Sequence, residues 1–300
     1  MLTTESPSDQ HPDLDLYLTI DLVRAFTEDQ VHAASIVNAA SGQIARAVDA
    51  AVPRIAAGGR IIYAGAGTSG RLGLLDSVEL WPTFGWPKER ALALLAGGRT
   101  AMFGAVEGAE DDRAQGALDF HALQPTARDV VIALAASGAT PYVLGVVEAA
   151  RAAGALTIGV ANNPRAPLTT QVEFGITLDT GRETISGSTR LKAGTAQKIV
   201  LNTLSSAIMV RLHKVHGNLM VDVLPTNAKL FRRAIALTMR VTGADEATAR
   251  ETLNACHYRV KVAIVSLGRK IDPAAAQAVL DAVDGSVRRA LGEAPRETRE

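Results

Sequence analysis

The segment from residue 61 to residue 73 reads IIYAGAGTSGRLG, and the rest of the chain is best interpreted outward from it. Its first four residues are apolar and typical of a buried β-strand, and Gly65, Gly67 and Gly70 then form the pattern GxGxxG. A glycine-rich turn between a strand and a helix lets backbone N–H groups approach an anion, and the helix N-terminus adds a favourable dipole. The segment therefore predicts an α/β fold with an anion-binding turn.

The residues around this turn indicate the kind of anion that the turn binds. A nicotinamide or flavin enzyme usually has an acidic residue about 20 positions further on, where the next strand ends, to hold the ribose. Here the next strand-like run, residues 91–96, ends in Gly97-Gly98-Arg99. The turn also carries the hydroxyls of Thr68 and Ser69, which suit a terminal phosphate monoester. The pattern favours a phosphate ester over a dinucleotide, and a purely structural turn remains the alternative.

Composition and charge exclude several classes of protein. Hydrophobic residues make up 47% of the 300 residues but aromatic residues only 4%, which is typical of parallel strands buried on both faces. Because 31 basic residues balance 31 acidic ones, we expect no nucleic-acid or membrane partner bound through bulk charge. The single cysteine, Cys256, excludes an internal disulfide and a cysteine metal cluster. Without a signal-like or membrane-spanning apolar run, we expect a cytoplasmic protein.

Four more apolar runs follow the first strand and alternate with helical segments. They cover residues 91–96, 130–135, 156–161 and 174–178. Strands that alternate with helices predict a parallel sheet with helices on both faces. Ligands of such sheets bind beyond the carboxyl ends of the strands, so the loops after these runs are the ones that matter.

The chain divides into three predicted parts. Residues 1–16 are rich in Ser, Pro, Asp and Thr and predict a mobile tail. Residues 17–225 contain the predicted sheet, preceded by a helix that the capping pair Thr27 and Gln30 places from residue 27 to the glycines at 58 and 59. Residues 226–300 have helical spacing throughout and predict a small all-helical subdomain.

Three loops pair small hydroxyl side chains with glycine where a helix is predicted to begin, at residues 67–70, 136–141 and 186–190. Hydroxyl groups donate hydrogen bonds to phosphate or sugar oxygens, and exposed N–H groups supply the rest. Each loop by itself is also compatible with ordinary helix capping. Three of them at the ligand-binding edge predict a sugar-phosphate pocket. The predicted substrate-binding residues are Gly67, Thr68, Ser69, Ser137, Gly138, Thr140, Ser186, Ser188 and Arg190.

Two acidic clusters lie close to these loops. Asp76 and Glu79 follow the glycine turn, and Glu107 and Glu110 belong to the string AVEGAEDD. A carboxylate near a phosphate is unfavourable unless it does chemistry or holds a cation. Spacing alone leaves open whether these residues are general acids or bases or simply a solvated helix start. The six histidines are scattered and join neither cluster, so no metal site is predicted.

Four long motifs occur in the chain in this order: GAGTSGRLGLLDSVELWPTFG from Gly65, AVEGAEDD from Ala105, SGSTRLKAGTAQKIVLNTLS from Ser186 and HGNLMVDVLPTN from His216. Together they resemble the N-acetylmuramic acid 6-phosphate etherases of the sugar isomerase (SIS) superfamily, from about Thr27 into the C-terminal region. The resemblance implies an SIS-type three-layer α/β sandwich around a parallel sheet, a helical C-terminal subdomain and a homodimer. It implies no metal and no organic cofactor.

The activity that the resemblance implies is that of a lyase. The etherases of this family cleave the D-lactyl ether of N-acetylmuramic acid 6-phosphate to N-acetylglucosamine 6-phosphate and D-lactate, in the recycling of peptidoglycan sugars. Glu79 matches the first acidic site of the family and Glu110, the last glutamate of AVEGAEDD, matches the second. Our hypothesis is that Glu110 removes the proton on carbon 2, while Glu79 protonates the lactate oxygen and later activates water. The reverse assignment stays open.

Two positions depart from the family pattern and put the preferred substrate in doubt. Ala139 stands where the family usually has the arginine of SGRTP, and Leu80-Trp81-Pro82 replaces a double proline after the first glutamate. The rival functions are a non-catalytic sugar-phosphate regulator of the same superfamily, an aldose–ketose phosphosugar isomerase and an NAD-dependent oxidoreductase. Retention of Glu79 and Glu110 argues against the regulator, and the AVEGAEDD and GNLMVDV strings favour the etherase over the isomerase.

Overall fold

A computed structural model of the chain describes residues 3–223, 225 and 227–294. At its centre lies a five-stranded sheet with the order β2-β1-β3-β4-β5, in which every neighbouring pair is parallel. The strands are β1 (Ile61–Gly65), β2 (Ala91–Leu95), β3 (Val130–Ala135), β4 (Leu156–Ala161) and β5 (Phe174–Thr177). The predicted parallel sheet is therefore confirmed, with strand ends within one residue of those expected from the apolar runs.

Helices surround this sheet and continue beyond it. They are α1 (Thr19–Ala39), α2 (Ser41–Ala56), α3 (Gly67–Phe84), α4 (Arg113–Ala122), α5 (Pro141–Ala152), α6 (Pro167–Thr170), α7 (Lys192–Arg211), α8 (Ala228–Thr242), α9 (Glu246–Ala255), α10 (Val260–Arg269), α11 (Pro273–Asp281) and α12 (Val287–Leu291). A short antiparallel pair, β6 (Val215–His216) and β7 (Leu219–Met220), follows α7. Among the described residues, no helix has both the length and the apolar character needed to cross a membrane.

The sheet is buried on both faces. On one face, Ile62 and Val131 pack with Phe120 of α4 and Val143 of α5. On the other face, the Tyr63 hydroxyl donates a hydrogen bond of 2.7 Å to a carboxylate oxygen of Asp76 in α3. Strands covered on both sides need apolar residues at every position, which explains why they read as continuous apolar runs rather than alternating ones.

The strand order creates a switch point between β1 and β3. These two strands are neighbours, with Gly65 opposite Leu134, although β2 separates them in the sequence. The chain leaves β1 toward β2 on one side and leaves β3 toward β4 on the other. In open α/β sheets a crevice forms where the order reverses, outside the carboxyl ends of the strands. The loops after β1 and β3 therefore meet at one place.

The prediction of one helix that begins at Thr27 is wrong in two respects: the helix begins earlier, and the predicted range contains two helices. The chain is helical from Thr19, and the Thr27 hydroxyl donates to the Val23 carbonyl at 2.9 Å, so it sits inside α1 instead of capping it. A threonine within a helix commonly makes this bond to the carbonyl four residues earlier. The helix then ends at Ala39, and α2 begins at Ser41.

The described part of the chain forms two compact units, and the second comprises residues 79–87 and the described residues between 209 and 294. Its core is helical: Leu253, Cys256 and Ile264 are buried together, and burial raises the pKa of the Cys256 thiol. A helical C-terminal subdomain is thus confirmed. The predicted boundary residue Thr226 lies outside the described residues.

The second unit begins earlier than residue 226 because of two valines. Val221 and Val223 are buried within its helical core, so the segment after α7 packs with the helices that follow it. Gly243, with φ of 74°, ends α8, and the Asp272 side chain caps the start of α11.

Candidate active site

A cavity of about 490 Å³ opens in the first compact unit at the carboxyl ends of β1 and β3. Ala66, which follows β1, and Ala135, which ends β3, both line it. Its polar lining residues are Glu5, Thr68, Ser69, Glu110, Asp111, Ser137, Thr140 and Thr189. The cavity therefore lies at the switch point and combines hydroxyl groups with carboxylates.

The first loop brings the start of α3 directly against the end of β1. A Cβ on Gly70 would lie 2.6 Å from the Gly65 carbonyl oxygen, so this close approach requires glycine. Gly67 adopts a φ of 52° and begins the helix, and Thr68 and Ser69 in its first turn line the cavity. Because the first turn of a helix has N–H groups without partners inside the helix, it offers donors to an anion there.

The second loop presents hydroxyl groups at the start of α5. Thr140 occupies the N-cap position, yet its side chain makes no capping hydrogen bond. The Ser137 hydroxyl oxygen accepts a 3.2 Å bond from the Ala139 N–H group, and both residues line the cavity. Gly138 is buried with a φ of 69°, and a Cβ there would lie 2.3 Å from the Cβ of Ala166. Thr140 is thus free of the structural role that ordinary capping would give it, and Gly138 shapes the loop.

The third loop contributes a residue that the sequence analysis did not single out. Thr189 lines the cavity, whereas Ser186, Ser188 and Arg190 lie outside its lining. The Ser186 hydroxyl instead accepts a 3.0 Å bond from the Ser8 N–H group. Arg190 is exposed.

The N-terminus of α7 is already occupied by an internal anion. Glu183 is fully buried, and its two carboxylate oxygens accept 2.9 Å hydrogen bonds from the N–H groups of Lys192 and Ala193. Burial raises the pKa of Glu183 despite these bonds. The Lys192 ammonium pairs with Asp29 at 2.6 Å. Among the three loops, the helix starts that remain open to a ligand phosphate are therefore those of α3 and α5.

Glu110 is positioned by the contact between α4 and α5. Its backbone carbonyl accepts a 3.0 Å bond from the Tyr142 N–H group in the first turn of α5. The two helices approach so closely that a Cβ on Gly116 would lie 2.1 Å from the Tyr142 carbonyl oxygen. The Glu110 carboxylate has no hydrogen-bond partner among the described residues, and it lines the cavity. It is available to a ligand there.

Glu79 belongs with the second compact unit and is exposed near the end of α3. The same segment, residues 79–87, contains the chain's two tryptophans, Trp81 and Trp86. Trp86 is 3% exposed, and the Lys214 ammonium lies 5.9 Å from the centre of its ring. The cavity thus collects Glu110 with the first two loops, and Glu79 is not among the residues that line it.

A smaller cavity of about 270 Å³ lies within the second unit. One carboxylate oxygen of Asp222 lies 2.8 Å from the Lys214 ammonium and 2.7 Å from the Lys261 ammonium. Burial lowers the pKa of Lys261. Because Asp222 already compensates both cations, this cavity is less suited to a phosphate than the one at the switch point.

Sequence reasoning missed three polar residues of the main cavity for different reasons. Thr189 was within the predicted loop, between two residues that were selected, and Asp111 follows Glu110 directly. Glu5 carried no signal, because it lies in the stretch predicted to be a mobile tail. Finding it required knowledge of which distant residues hold that stretch in place.

Comparison with known proteins gives consistent results over nearly the whole chain. Residues 43–151 match the model of the glucokinase regulatory protein N-terminal SIS domain, and residues 217–278 match that of the C-terminal lid domain of glucokinase regulatory protein. The N-acetylmuramic acid 6-phosphate etherase of Deinococcus radiodurans is 54% identical over 290 residues, which cover 97% of this chain and 95% of that protein. The etherases of the same name from Cutibacterium acnes and Enterobacter sp. are 46% and 47% identical, over 98% and 97% of this chain and 96% and 98% of theirs.

Proposed function

Because this chain belongs to the N-acetylmuramic acid 6-phosphate etherase family, we propose that it cleaves the D-lactyl ether of N-acetylmuramic acid 6-phosphate. The products are N-acetylglucosamine 6-phosphate and D-lactate, and the activity is that of a carbon–oxygen lyase in the recycling of peptidoglycan sugars. The observation that carries the proposal is the cavity at the switch point, where the Glu110 carboxylate faces the same space as two hydroxyl-rich helix starts. Its volume suits a small ligand.

The phosphate group is assigned to the first two loops. Thr68, Ser69, Ser137 and Thr140 supply hydroxyl donors, and the first turns of α3 and α5 supply N–H groups and favourable dipoles. Gly67 and Gly138 shape these turns. Ser186, Ser188 and Arg190 stay predicted substrate residues, and Thr189 of the same loop joins the assignment because it lines the cavity.

The chemistry begins with the open-chain aldehyde of the sugar, which acidifies the proton on carbon 2. Glu110 takes this proton, the electron pair forms a carbon–carbon double bond, and the bond between carbon 3 and the lactyl oxygen breaks. Glu79 gives its proton to that oxygen, so that D-lactate leaves as an alcohol. Glu79 then accepts a proton from water as the hydroxyl adds to carbon 3, and Glu110 returns its proton to carbon 2. Each general acid–base step contributes about 10²–10⁴-fold to the rate.

The two assignments rest on different support. Glu110 is supported by its place in the cavity and by its motif, whereas Glu79 is supported by its motif alone. A non-catalytic regulator is not favoured, because the full-length relatives are named etherases although the two domain models derive from a regulatory protein.

The test is D-lactate release from N-acetylmuramic acid 6-phosphate by the wild type, Glu79→Gln and Glu110→Gln. Glu107→Gln is the matched control, since Glu107 is an exposed glutamate of the same AVEGAEDD motif outside the cavity lining. We expect release to fall about 10²–10⁴-fold in the first two variants and to persist in the control. No release by a wild type that still binds the sugar phosphate would reject the etherase and favour the regulator.

The division of roles has its own readout. The carbon 2 proton of N-acetylglucosamine 6-phosphate exchanges with solvent deuterium only if the base at carbon 2 works. We expect Glu110→Gln to lose this exchange and Glu79→Gln to retain it while failing to release lactate. The opposite pattern would exchange the two roles.

We also propose that the protein forms a homodimer through α1. Ile20, Val23 and Val31 of α1 follow one another at helical spacing and are 54%, 52% and 68% exposed, and Leu16 and Leu18 just before the helix are 76% and 72% exposed. An apolar stripe of this kind on a single chain is typical of an interface, and the homodimer that the family resemblance implies supports a second copy as its occupant. Light scattering should show a dimer for the wild type and a monomer for Val23→Glu. His32→Glu, at an exposed position about 100° or more around the helix from Ile20, Val23 and Val31, should remain dimeric.

A further inference from the structure

The N-terminal segment, residues 3–9, is fastened to the rim of the cavity, and we call it the N-terminal strap. Thr4 is fully buried, and its N–H group donates to the side-chain oxygen of Asn163 at 3.3 Å. The Asn163 amide in turn donates to the Thr4 hydroxyl and to the Ala136 carbonyl, both at 2.9 Å. Ala136 lines the cavity in the second loop. One end of the strap is therefore fixed to the cavity wall.

The other end of the strap is held by the third loop and the residues before it. The Ser8 N–H group donates to the Ser186 hydroxyl at 3.0 Å, and Asp9 forms an ion pair with Arg182. The strap thus connects two of the three hydroxyl-rich loops. A segment with attachments on both sides is held across the rim instead of trailing away from it.

Between these attachments the strap delivers Glu5 to the cavity. Glu5 lines the cavity together with Glu110, and one of its carboxylate oxygens lies 3.7 Å from the position of a Cβ on Gly187. Its carboxylate has no hydrogen-bond partner among the described residues. The strap therefore adds a third carboxylate to the cavity, beside those of Glu110 and Asp111.

The charge of Glu5 determines which part of a sugar phosphate it can face. A carboxylate repels a phosphate at close range, and it can only accept hydrogen bonds. The hydroxyl and N–H donors of the first two loops suit the phosphate end, so Glu5 suits the sugar end. The complementary groups there are a ring hydroxyl or an amide N–H.

We propose that Glu5 is a specificity-determining residue that accepts a hydrogen bond from a hydroxyl or acetamido N–H group of the sugar. The proposal rests on the proposed function for the identity of the ligand. Hydrogen bonds to a charged group are among the stronger ones, and a site with an unpaired carboxylate rejects ligands that lack the donor. The N-terminal strap then acts as a part of the substrate pocket.

The test compares Glu5→Gln with Asp13→Asn, which removes the same charge from an exposed position just after the strap whose side chain makes no capping hydrogen bond. Binding of N-acetylglucosamine 6-phosphate, glucose 6-phosphate and inorganic phosphate is measured by calorimetry, and KM and kcat by D-lactate release. We expect Glu5→Gln to weaken binding of N-acetylglucosamine 6-phosphate and raise KM about 10-fold or more, with inorganic phosphate unaffected. Asp13→Asn should stay within about threefold of the wild type, because its charge is screened by solvent.

The comparison of the two sugar phosphates identifies which group of the sugar donates the hydrogen bond to Glu5. Weaker binding of N-acetylglucosamine 6-phosphate alone assigns the acetamido N–H, and equal weakening of both sugar phosphates assigns a hydroxyl. Glu5→Asp, which keeps the charge, should recover part of the affinity. A Glu5→Gln protein that binds all three ligands like Asp13→Asn overturns the proposal. A wild type that binds the sugar phosphates but releases no lactate rejects the etherase activity and leaves the binding comparison valid.

Discussion

A carboxylate lies at each end of the parallel strands, that is, at the amino edge and at the carboxyl edge of the central sheet. The surroundings of these two carboxylates are opposite in kind. At the amino edge, just before β3, Asp129 is 1% exposed and accepts hydrogen bonds from the Arg60 N–H and Nε at 3.0 Å, from Arg60 Nη2 at 2.7 Å and from the Thr126 N–H at 2.8 Å. At the carboxyl edge, Glu110 is exposed to the cavity, and its carboxylate has no partner among the described residues. The first carboxylate is saturated and the second is left open.

This difference separates stability from chemistry. A buried charge must be paired and hydrogen-bonded to be tolerated. Burial raises the pKa of Asp129, but the hydrogen bonds from Arg60 and Thr126 outweigh it and hold that pKa below its usual range. A group that exchanges protons with a ligand must instead keep its lone pairs available. The amino edge should therefore respond to mutation in stability and the carboxyl edge in activity.

The largest effect is expected at Glu110. Glu110→Gln should lower the rate of D-lactate release about 10²–10⁴-fold while changing the free energy of unfolding by less than about 0.5 kcal/mol. The rate is measured by coupled assay and the stability by urea unfolding. A stability loss of several kcal/mol would mean that Glu110 is a structural residue like Asp129.

At the other edge, Asp129→Asn should cost about 3 kcal/mol of unfolding free energy, because it breaks the ion pair of the buried Asp129 and leaves the partly buried Arg60 guanidinium without its anion. The activity per folded molecule should stay close to that of the wild type. Urea unfolding and the same lactate assay check both statements. An activity loss without destabilisation would contradict the division between the edges.

Gly116→Ala should lower both the stability and the activity of the protein, because Gly116 allows α4 to pack closely against α5 and so positions Glu110. Its Cβ would lie 2.1 Å from the Tyr142 carbonyl oxygen, and overpacking of this kind costs about 1–3 kcal/mol. We expect a lower kcat with little change in KM. Gly104→Ala, where a Cβ meets nothing within 4 Å, is the control and should change neither.

The smallest effect is a pH dependence. Since the folded-state pKa of Asp129 is lowered, its contribution is present above the unfolded pKa and is lost as the pH falls through the folded pKa. Acidification should therefore destabilise the wild type more steeply than Asp129→Asn, by at most about 1.4 kcal/mol per pH unit. Equal slopes for the wild type and Asp129→Asn would remove Asp129 as the acid-sensitive group.

Local sequence patterns predicted the strands and the first two loops, because these features depend on residues that are close together in the sequence. The five strands were visible because each is an apolar run that ends in glycine or a polar turn, and the first two hydroxyl loops follow such runs directly. The start of α1 was mispredicted because Thr27 and Gln30 imitate a cap that the helix does not use. A capping pair and an internal threonine look alike until the preceding residues are known to be helical.

Contacts between distant residues could not be predicted in this way. Thr4 and Asn163 are 159 residues apart, and their hydrogen bonds decide that Glu5 lies in the cavity. The burial of Glu183 against the start of α7 likewise depends on tertiary packing, and it withdraws one predicted helix start from the ligand. From composition alone, such residues are predicted to lie in a tail or on the surface. The residues that hold them in place are distant in the sequence and do not contribute to the local pattern.

The placement of the tryptophans gives the protein an optical probe of its own. The chain has two tryptophans, and both lie within residues 79–87, the segment that begins with Glu79. With tryptophan-selective excitation, the intrinsic fluorescence reports on this segment alone. Trp86 is nearly enclosed beside the Lys214 ammonium, so a change in its surroundings should shift the emission. Movement around one proposed catalytic glutamate can thus be followed in solution without attaching a label.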